Sequence, residues 1–196
     1  MLSIAIQAGG QSSRMGRDKA LVPLMGKPLI EHLLERITGL GDEILITTNR
    51  PQDYAYLGFR TAQDSTPGAG ALEGLKTALR AARGERILVL ACDLPFVNRD
   101  LLKHLIGLSD QADVTVPYRK GEYEPFFAIY TKTCISAIEE SLQAGKMRMI
   151  SFYPSVKVLA LDEQEMAAFD PLGLSFFNVN TPGELADAEK MLKDLD

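Results

Sequence analysis

Ser3-Ile4-Ala5-Ile6-Gln7-Ala8-Gly9-Gly10-Gln11-Ser12-Ser13-Arg14-Met15-Gly16-Arg17-Asp18-Lys19, near the start of a 196-residue chain, decides how the rest is read. Its first five residues form a β-rich run, and the remainder is small, polar and basic. Paired glycines at 9 and 10 lack Cβ atoms and allow positive φ, so the backbone there can wrap closely around an anion and aim its N–H groups inward. Arg14 and Lys19 add fixed positive charge. Such a backbone cradle with two cations suits a triphosphate, whose transfer chemistry is mostly positioning and charge stabilisation. The glycines do not form GxGxxG, and Gly16-Arg17-Asp18-Lys19 lacks the GK[ST] ending of a Walker A loop, so neither dehydrogenase nor P-loop spacing fits.

Outward from this stretch, short apolar runs alternate with helical patterns. Ser3–Gln7, Glu43–Thr48, Arg86–Ala91, Asp113–Pro117, Phe126–Tyr130 and Val156–Leu161 read as strands, most of them apolar on both faces, which indicates a sheet covered on both sides. Lys27–Thr38 and Ala71–Arg83 each carry an apolar stripe at helical spacing and read as crossover helices. Asp100–Leu108, Thr131–Gln143, Met147–Tyr153 and Pro182–Leu195 complete the expected helices, the last begun by Thr181 as N-cap, Pro182 at N1 and Glu184 at N3. The pattern predicts one domain over residues 1–196, a three-layer α/β/α, Rossmann-like fold with a mostly parallel sheet. Ligands of such sheets sit at the carboxyl ends of the strands, so functional residues are expected just after them. Tyr118–Pro125 reads either as a hairpin over the site or as a surface turn.

The bulk composition narrows the function. A formal net charge of -5 without a basic block leaves no footprint for nucleic acid. No run approaches the roughly 18 apolar residues of a membrane span, and the chain opens without a signal-like leader, so a cytoplasmic protein with no membrane partner is expected. Cys92 and Cys134 are too few and too widely spaced for a disulfide framework or a CxxC pair and read as buried small side chains. His32 and His104 have no metal-ligand spacing.

In Ile87-Leu88-Val89-Leu90-Ala91-Cys92-Asp93-Leu94-Pro95 an apolar strand ends in an acidic residue. Asp93 is there as a ligand for a hard divalent ion such as Mg²⁺, which takes one or two carboxylates with phosphates and water, or as a cap for the helix starting near Asn98–Asp100. Asp64, at the head of Asp64-Ser65-Thr66-Pro67-Gly68-Ala69-Gly70-Ala71, is a nucleoside contact or a turn residue. Thr47, Thr48 and Asn49 occupy a similar rim position with weaker support.

Together, the pattern AGGxSSRMGxDKAL, the Gly26-Lys27-Pro28-Leu29 turn and Cys92-Asp93-Leu94-Pro95 resemble the molybdenum cofactor guanylyltransferase family, within the wider class of sugar- and cofactor-nucleotidyltransferases. Glu124–Tyr130 and Phe177–Pro182 also resemble family segments, so the likeness spans nearly the whole chain. The Ala-Gly-Gly form is similar to the guanylyl branch, where cytidylyltransferases show Ala-Ala-Gly; Gln7 departs from the family's usual leucine. The resemblance implies nucleotide binding by Gln7, Ala8, Gly9, Gly10, Lys19, Asp64 and Asp93, catalysis by Arg14, Lys19 and Asp93, and Mg²⁺ on Asp93. It implies acceptor binding by Asn180, which otherwise reads as a turn asparagine, while Arg148 faces the acceptor or is a solvated charge. The implied substrates are GTP and Mo-molybdopterin, with molybdoenzyme apo-proteins or their chaperones as possible recipients of the product. Cytidylyl transfer to molybdopterin, nucleotidyl transfer to a sugar phosphate and a non-catalytic nucleotide or cofactor carrier are the alternatives.

Overall fold

The computed structural model describes residues 1–8, 18–64, 66 and 70–195. Its central sheet takes strands β1 (Leu2–Gln7), β4 (Glu43–Thr47), β5 (Arg60–Ala62), β6 (Arg86–Ala91), β7 (Val114–Arg119), β9 (Phe127–Thr131) and β10 (Val158–Leu161) in the order β10-β7-β9-β6-β1-β4-β5. Along this path only β9 runs against the others, pairing antiparallel with both β6 and β7. Two short strands, β2 (Pro23–Leu24) and β3 (Lys27–Pro28), form a separate hairpin, and β8 (Glu122–Tyr123) pairs with β7.

Alternation along the strands divides the core into two layers. Ile4, Ile6, Leu88 and Leu90 face one side, where they meet Leu33 and Ile37 of α1 (Leu29–Ile37) and Leu101 and Leu105 of α3 (Arg99–Leu108). Ala5, Ile87 and Val89 face the other, against Leu72, Leu75 and Leu79 of α2 (Ala71–Ala81) and Cys134 and Ile138 of α4 (Cys134–Gln143). Each fully buried leucine or isoleucine contributes about 1.5–3 kcal/mol, which is why the apolar stripes of α1 and α2 suffice to dock them. A short helix α5 (Glu163–Ala167) follows β10, and α6 (Pro182–Leu195) packs through Ala188 against Val22, Leu24 and Leu29. The three-layer, mostly parallel expectation is therefore met, and Cys92 and Cys134 are free, buried thiols. No helix among the described residues is long and apolar enough to cross a membrane.

The chain leaves β1 towards β4 and β5, then returns to place β6 on β1's other flank, with α1 and α2 on opposite faces. In sheets of this winding ligands bind in a crevice where the winding reverses, which here is at the carboxyl ends of β1 and β6.

Two local expectations need correction. Met147–Tyr153 is not a helix but a run of turns ending in a single 3-10 turn over Tyr153–Ser155; its apolar residues Met149 and Phe152 are buried by the sheet without needing a helical stripe. Lys27 and Pro28 belong to β3, and α1 starts at Leu29. Tyr118–Pro125 is a hairpin: Arg119 pairs with Glu122, and Lys120 and Gly121 between them both have positive φ, as a type I′ turn requires. It stands at the carboxyl end of β7, the same end of the sheet as the crevice.

Candidate active site

Lys19 begins a 3-10 turn after the β1 loop, and its ammonium reaches across the crevice to the segment after β6. It lies 3.4 Å from Asp93 Oδ2 and donates a hydrogen bond to Asn180 Oδ1. Residues from three distant parts of the sequence thus converge. Asn180 is fixed from behind: its N–H donates to Glu184 Oε2 at 2.7 Å, and the neighbouring Val179 N–H donates to Asp93 O at 3.1 Å. The α6 cap forms as expected, with Thr181 Oγ1 accepting from the Glu184 N–H at 3.2 Å.

Asp93 is only 7% exposed, and its Oδ1 has no hydrogen-bond partner among the described residues. It does not cap α3. Asn98 does, its Oδ1 accepting from the N–H groups of Asp100 and Leu101. Burial pushes the Asp93 carboxyl above its usual range, and the Lys19 ammonium pulls the other way. A buried carboxylate oxygen without a donor is an acceptor waiting for a cation. No group of three or more potential ligands exists among the described residues, and Asp93 is the buried carboxylate at this point of the site. A single carboxylate oxygen of this kind fits a hard divalent ion such as Mg²⁺, which takes one or two carboxylates and fills its other positions with phosphates and water.

Gly9, Gly10 and Arg14 lie outside the described residues, but both flanks of their segment are anchored. Ala8 N–H donates to Thr47 O at 2.9 Å, and its carbonyl accepts from the Tyr54 hydroxyl at 3.4 Å. On the far side Asp18 accepts from the Ala20 N–H at 3.2 Å and from an Arg50 guanidinium nitrogen at 3.0 Å. Tyr54 is fully buried; its burial, followed by the Asp18 carboxylate nearby, pushes its phenol pKa far up, so it stays a neutral donor. Sequence reasoning misses Asp18, Arg50 and Tyr54 in this role. The spacing of an Arg and a Tyr within a Pro-led turn carries no motif; only the Asp18-Lys19 junction hints at the anchor.

On the other rim, Asn49 and Asp64 hold each other through two bonds: Asn49 Nδ2 donates to Asp64 Oδ2 at 3.2 Å, and the Asp64 N–H donates to Asn49 Oδ1 at 3.1 Å. Thr47 and Thr48 are buried and spend their hydroxyls on local backbone partners, Ile6 O and Arg50 N–H. Gln7 ends β1 and is buried on the α2 face. Arg148 is not on a helix; it lines an open cleft of about 780 Å³ with Tyr118, Tyr123, Pro125, Met149 and Ala160. His32 bonds Leu24 O at 2.9 Å and His104 bonds Glu165 at 2.7 Å, both in structural positions.

A sheet of this winding, with a lysine and a buried carboxylate facing each other across its switch point, defines a nucleotide-handling site of the transferase type. Residues 4–158 match the family model of the MobA-like NTP transferase domain. A protein of Carboxydothermus hydrogenoformans named "Probable molybdenum cofactor guanylyltransferase" is 40% identical over 192 residues, covering 98% of this chain and 95% of that protein. A "Molybdenum cofactor guanylyltransferase" of Desulfosudis oleivorans is 35% identical, covering 96% of this chain and 94% of its own. The crystal structure of molybdopterin-guanine dinucleotide biosynthesis protein A from Archaeoglobus fulgidus superimposes with a TM-score of 0.85 at 27% identity, covering 98% of this chain and 99% of that one. The chain belongs to the MobA-like NTP transferase family.

Proposed function

We propose that this enzyme transfers GMP from GTP to the terminal phosphate of Mo-molybdopterin, forming the guanine dinucleotide cofactor and releasing pyrophosphate. The observation that carries this is the Lys19–Asp93–Asn180 convergence at the switch point, supported by full-length relatives named for that reaction.

An oxygen of the acceptor phosphate attacks the α-phosphorus of GTP, the bond to the bridging oxygen of the β-phosphate breaks, and pyrophosphate leaves. The attacking phosphate is already ionised, so no protein nucleophile or general base is needed. Lys19 neutralises triphosphate charge, and Asn180 holds the ammonium in place by accepting its hydrogen bond. Arg14 and the N–H groups after Ala8, with Gly9 and Gly10, are assigned to the phosphates on their sequence. Asp93 is the residue that would hold Mg²⁺, which when bound supplies charge neutralisation to the phosphate oxygens. Its free Oδ1 is the acceptor suited to that task.

Asp64 and Asn49 lie at the far rim, where they contact the nucleoside. The cleft around Arg148, with one cation and the Tyr118 and Tyr123 rings, suits the aromatic, phosphate-bearing acceptor. The dinucleotide is then passed to molybdoenzyme apo-proteins or their chaperones in the cytoplasm.

Calorimetric titration of GTP, CTP and ATP with Mg²⁺ into wild type and Asp64→Ala tests the nucleotide half. Selective GTP binding, weakened in the variant, is expected; preference for CTP moves the protein to cytidylyl transfer, and no binding of any removes the enzyme reading.

A further inference from the structure

The β7–β8 hairpin has two faces, and they look onto different halves of the site. Across it Tyr118 pairs with Tyr123 and Arg119 with Glu122. Side chains alternate along a strand, so Tyr118 and Tyr123 line the Arg148 cleft, their rings 5.0 Å apart, while Arg119 turns away from it onto Phe176 in the other core layer. The Arg119 guanidinium lies 4.8 Å from the centre of the Phe176 ring and donates to Glu124 Oε1 at 3.2 Å. A guanidinium over an aromatic ring is attracted by the ring quadrupole, and its planar fork keeps a fixed direction once a carboxylate takes one edge.

Phe176 stands at the root of the segment that carries Asn180. It is buried and packs on the Phe127 ring of β9 at 5.0 Å, and its carbonyl accepts from Asn178 Nδ2 at 3.3 Å. Just beyond, Val179 is bonded to Asp93 and Asn180 to Lys19. On the α3 side the segment is held by Ser175 Oγ, which accepts from the Asn98 N–H at 2.9 Å. On the hairpin side the contact is Arg119. Its guanidinium also lies against the turn that starts the segment, since a Cβ on Gly173, at φ +64°, would stand 3.7 Å from Arg119 Nη2.

We infer that Arg119 is a positioning residue for the transfer step: by clamping the hairpin to Phe176 it sets the spacing between the acceptor cleft and Asn180. The inference rests on the acceptor reading of that cleft and adds the residue that joins it to the Lys19–Asp93–Asn180 half of the site. An acceptor seated at Arg148 has to present its phosphate to the nucleotide beside Lys19, and a misplacement of about 1 Å between reacting groups costs about 100-fold in rate. Loosening the clamp therefore lowers turnover and leaves nucleotide binding as it is.

The test measures kcat, KM for GTP and for the acceptor, melting temperature, and amide hydrogen exchange over residues 173–180 of the ligand-free protein. Wild type is compared with Arg119→Ala, Arg119→Lys, Phe176→Leu, the Arg119→Ala/Phe176→Leu double variant and Arg148→Ala. The hairpin tip is held separately, Lys120 N–H donating to Glu163 Oε1, so Arg119→Ala is expected to melt within a few degrees of wild type. Its kcat is expected to fall about tenfold with KM for GTP unchanged, and its exchange over residues 173–180 to quicken. Arg119→Lys, which keeps a cation for the ring, is expected to lose less. The double variant is expected to turn over no more slowly than Phe176→Leu, because both changes break one contact. Unchanged exchange in Arg119→Ala, faster exchange with unchanged kcat, or losses that multiply in the double variant each overturn the inference and leave the acceptor reading standing. An unchanged KM for the acceptor in Arg148→Ala removes the acceptor reading, and the inference with it.

Discussion

Lys19 Nζ lies 3.4 Å from Asp93 Oδ2, bridging the segments that follow two adjacent central strands, while Asp93 Oδ1 is buried without a partner among the described residues. One oxygen of this carboxylate faces the Lys19 ammonium, and the other has no partner among the described residues. Asp93→Asn is accordingly expected to fold, with a melting temperature within a few degrees of wild type, and to lose at least about 100-fold in turnover. Pyrophosphate release and thermal melting measure the two; near-normal turnover removes Asp93 from the reaction.

Asn180 and Glu184 couple catalysis to the start of α6. Glu184→Ala removes the acceptor for the Asn180 N–H and part of the cap, which costs about 1 kcal/mol of stability. It also frees Asn180, so turnover is expected to fall several-fold, whereas a cap with no link to the site predicts a lower melting temperature with unchanged turnover.

Tyr54 and Asp18 hold the two flanks of the glycine segment. Arg50→Ala and Tyr54→Phe are expected to raise KM for GTP by about tenfold, the value of one or two hydrogen bonds, with kcat changed less. Steady-state kinetics at saturating acceptor separate the two parameters; a fall in kcat alone contradicts an anchoring role.

How far these relationships are legible in the sequence differs between them. The start of α6 is plain, because Thr181-Pro182-Gly183-Glu184 carries its own capping chemistry, and the helix spans Pro182–Leu195 as expected. Strand β6 is equally plain as an apolar run bounded by charge at Arg86 and by Asp93 beyond it. By contrast, β5 is three residues long and lies at the sheet edge, too short to show a period. Met147–Tyr153 has apolar residues at helical spacing, yet they are buried by tertiary contact in a turn, which local pattern does not reveal. For the site, Lys19, Asp93 and Asn180 each stand out as candidates, but the Lys19–Asn180 contact joins positions 161 residues apart, and nothing in local spacing encodes it.

Away from the site, Glu43 ties the strand layer to the loop after α2. Its burial acts to raise its pKa, but the Arg83 N–H, the Ser3 hydroxyl and the Arg60 and Arg83 charges outweigh that and hold it below the usual range. A carboxylate lowered in the folded state stabilises the protein above its unfolded pKa, and that stabilisation is lost as pH falls through the lower folded value. The melting temperature of wild type is therefore expected to drop below about pH 4.5, and Glu43→Gln to flatten that drop while melting lower at pH 7. A variant that keeps the full acid dependence assigns it to other groups.

Arg148 is the cation of the Tyr118 and Tyr123 cleft. Arg148→Ala is expected to raise KM for the acceptor by about tenfold and leave GTP affinity unchanged; an equal loss for both substrates places the cleft outside the acceptor path.

Guanylyl transfer to a phosphorylated pterin is read from pyrophosphate release by the purified protein with Mg²⁺, given GTP, CTP or ATP, with and without Mo-molybdopterin. Release that requires both GTP and the acceptor, with one GMP joined per pyrophosphate, is the expected result; release that is faster with CTP, or that proceeds equally without the acceptor, contradicts it.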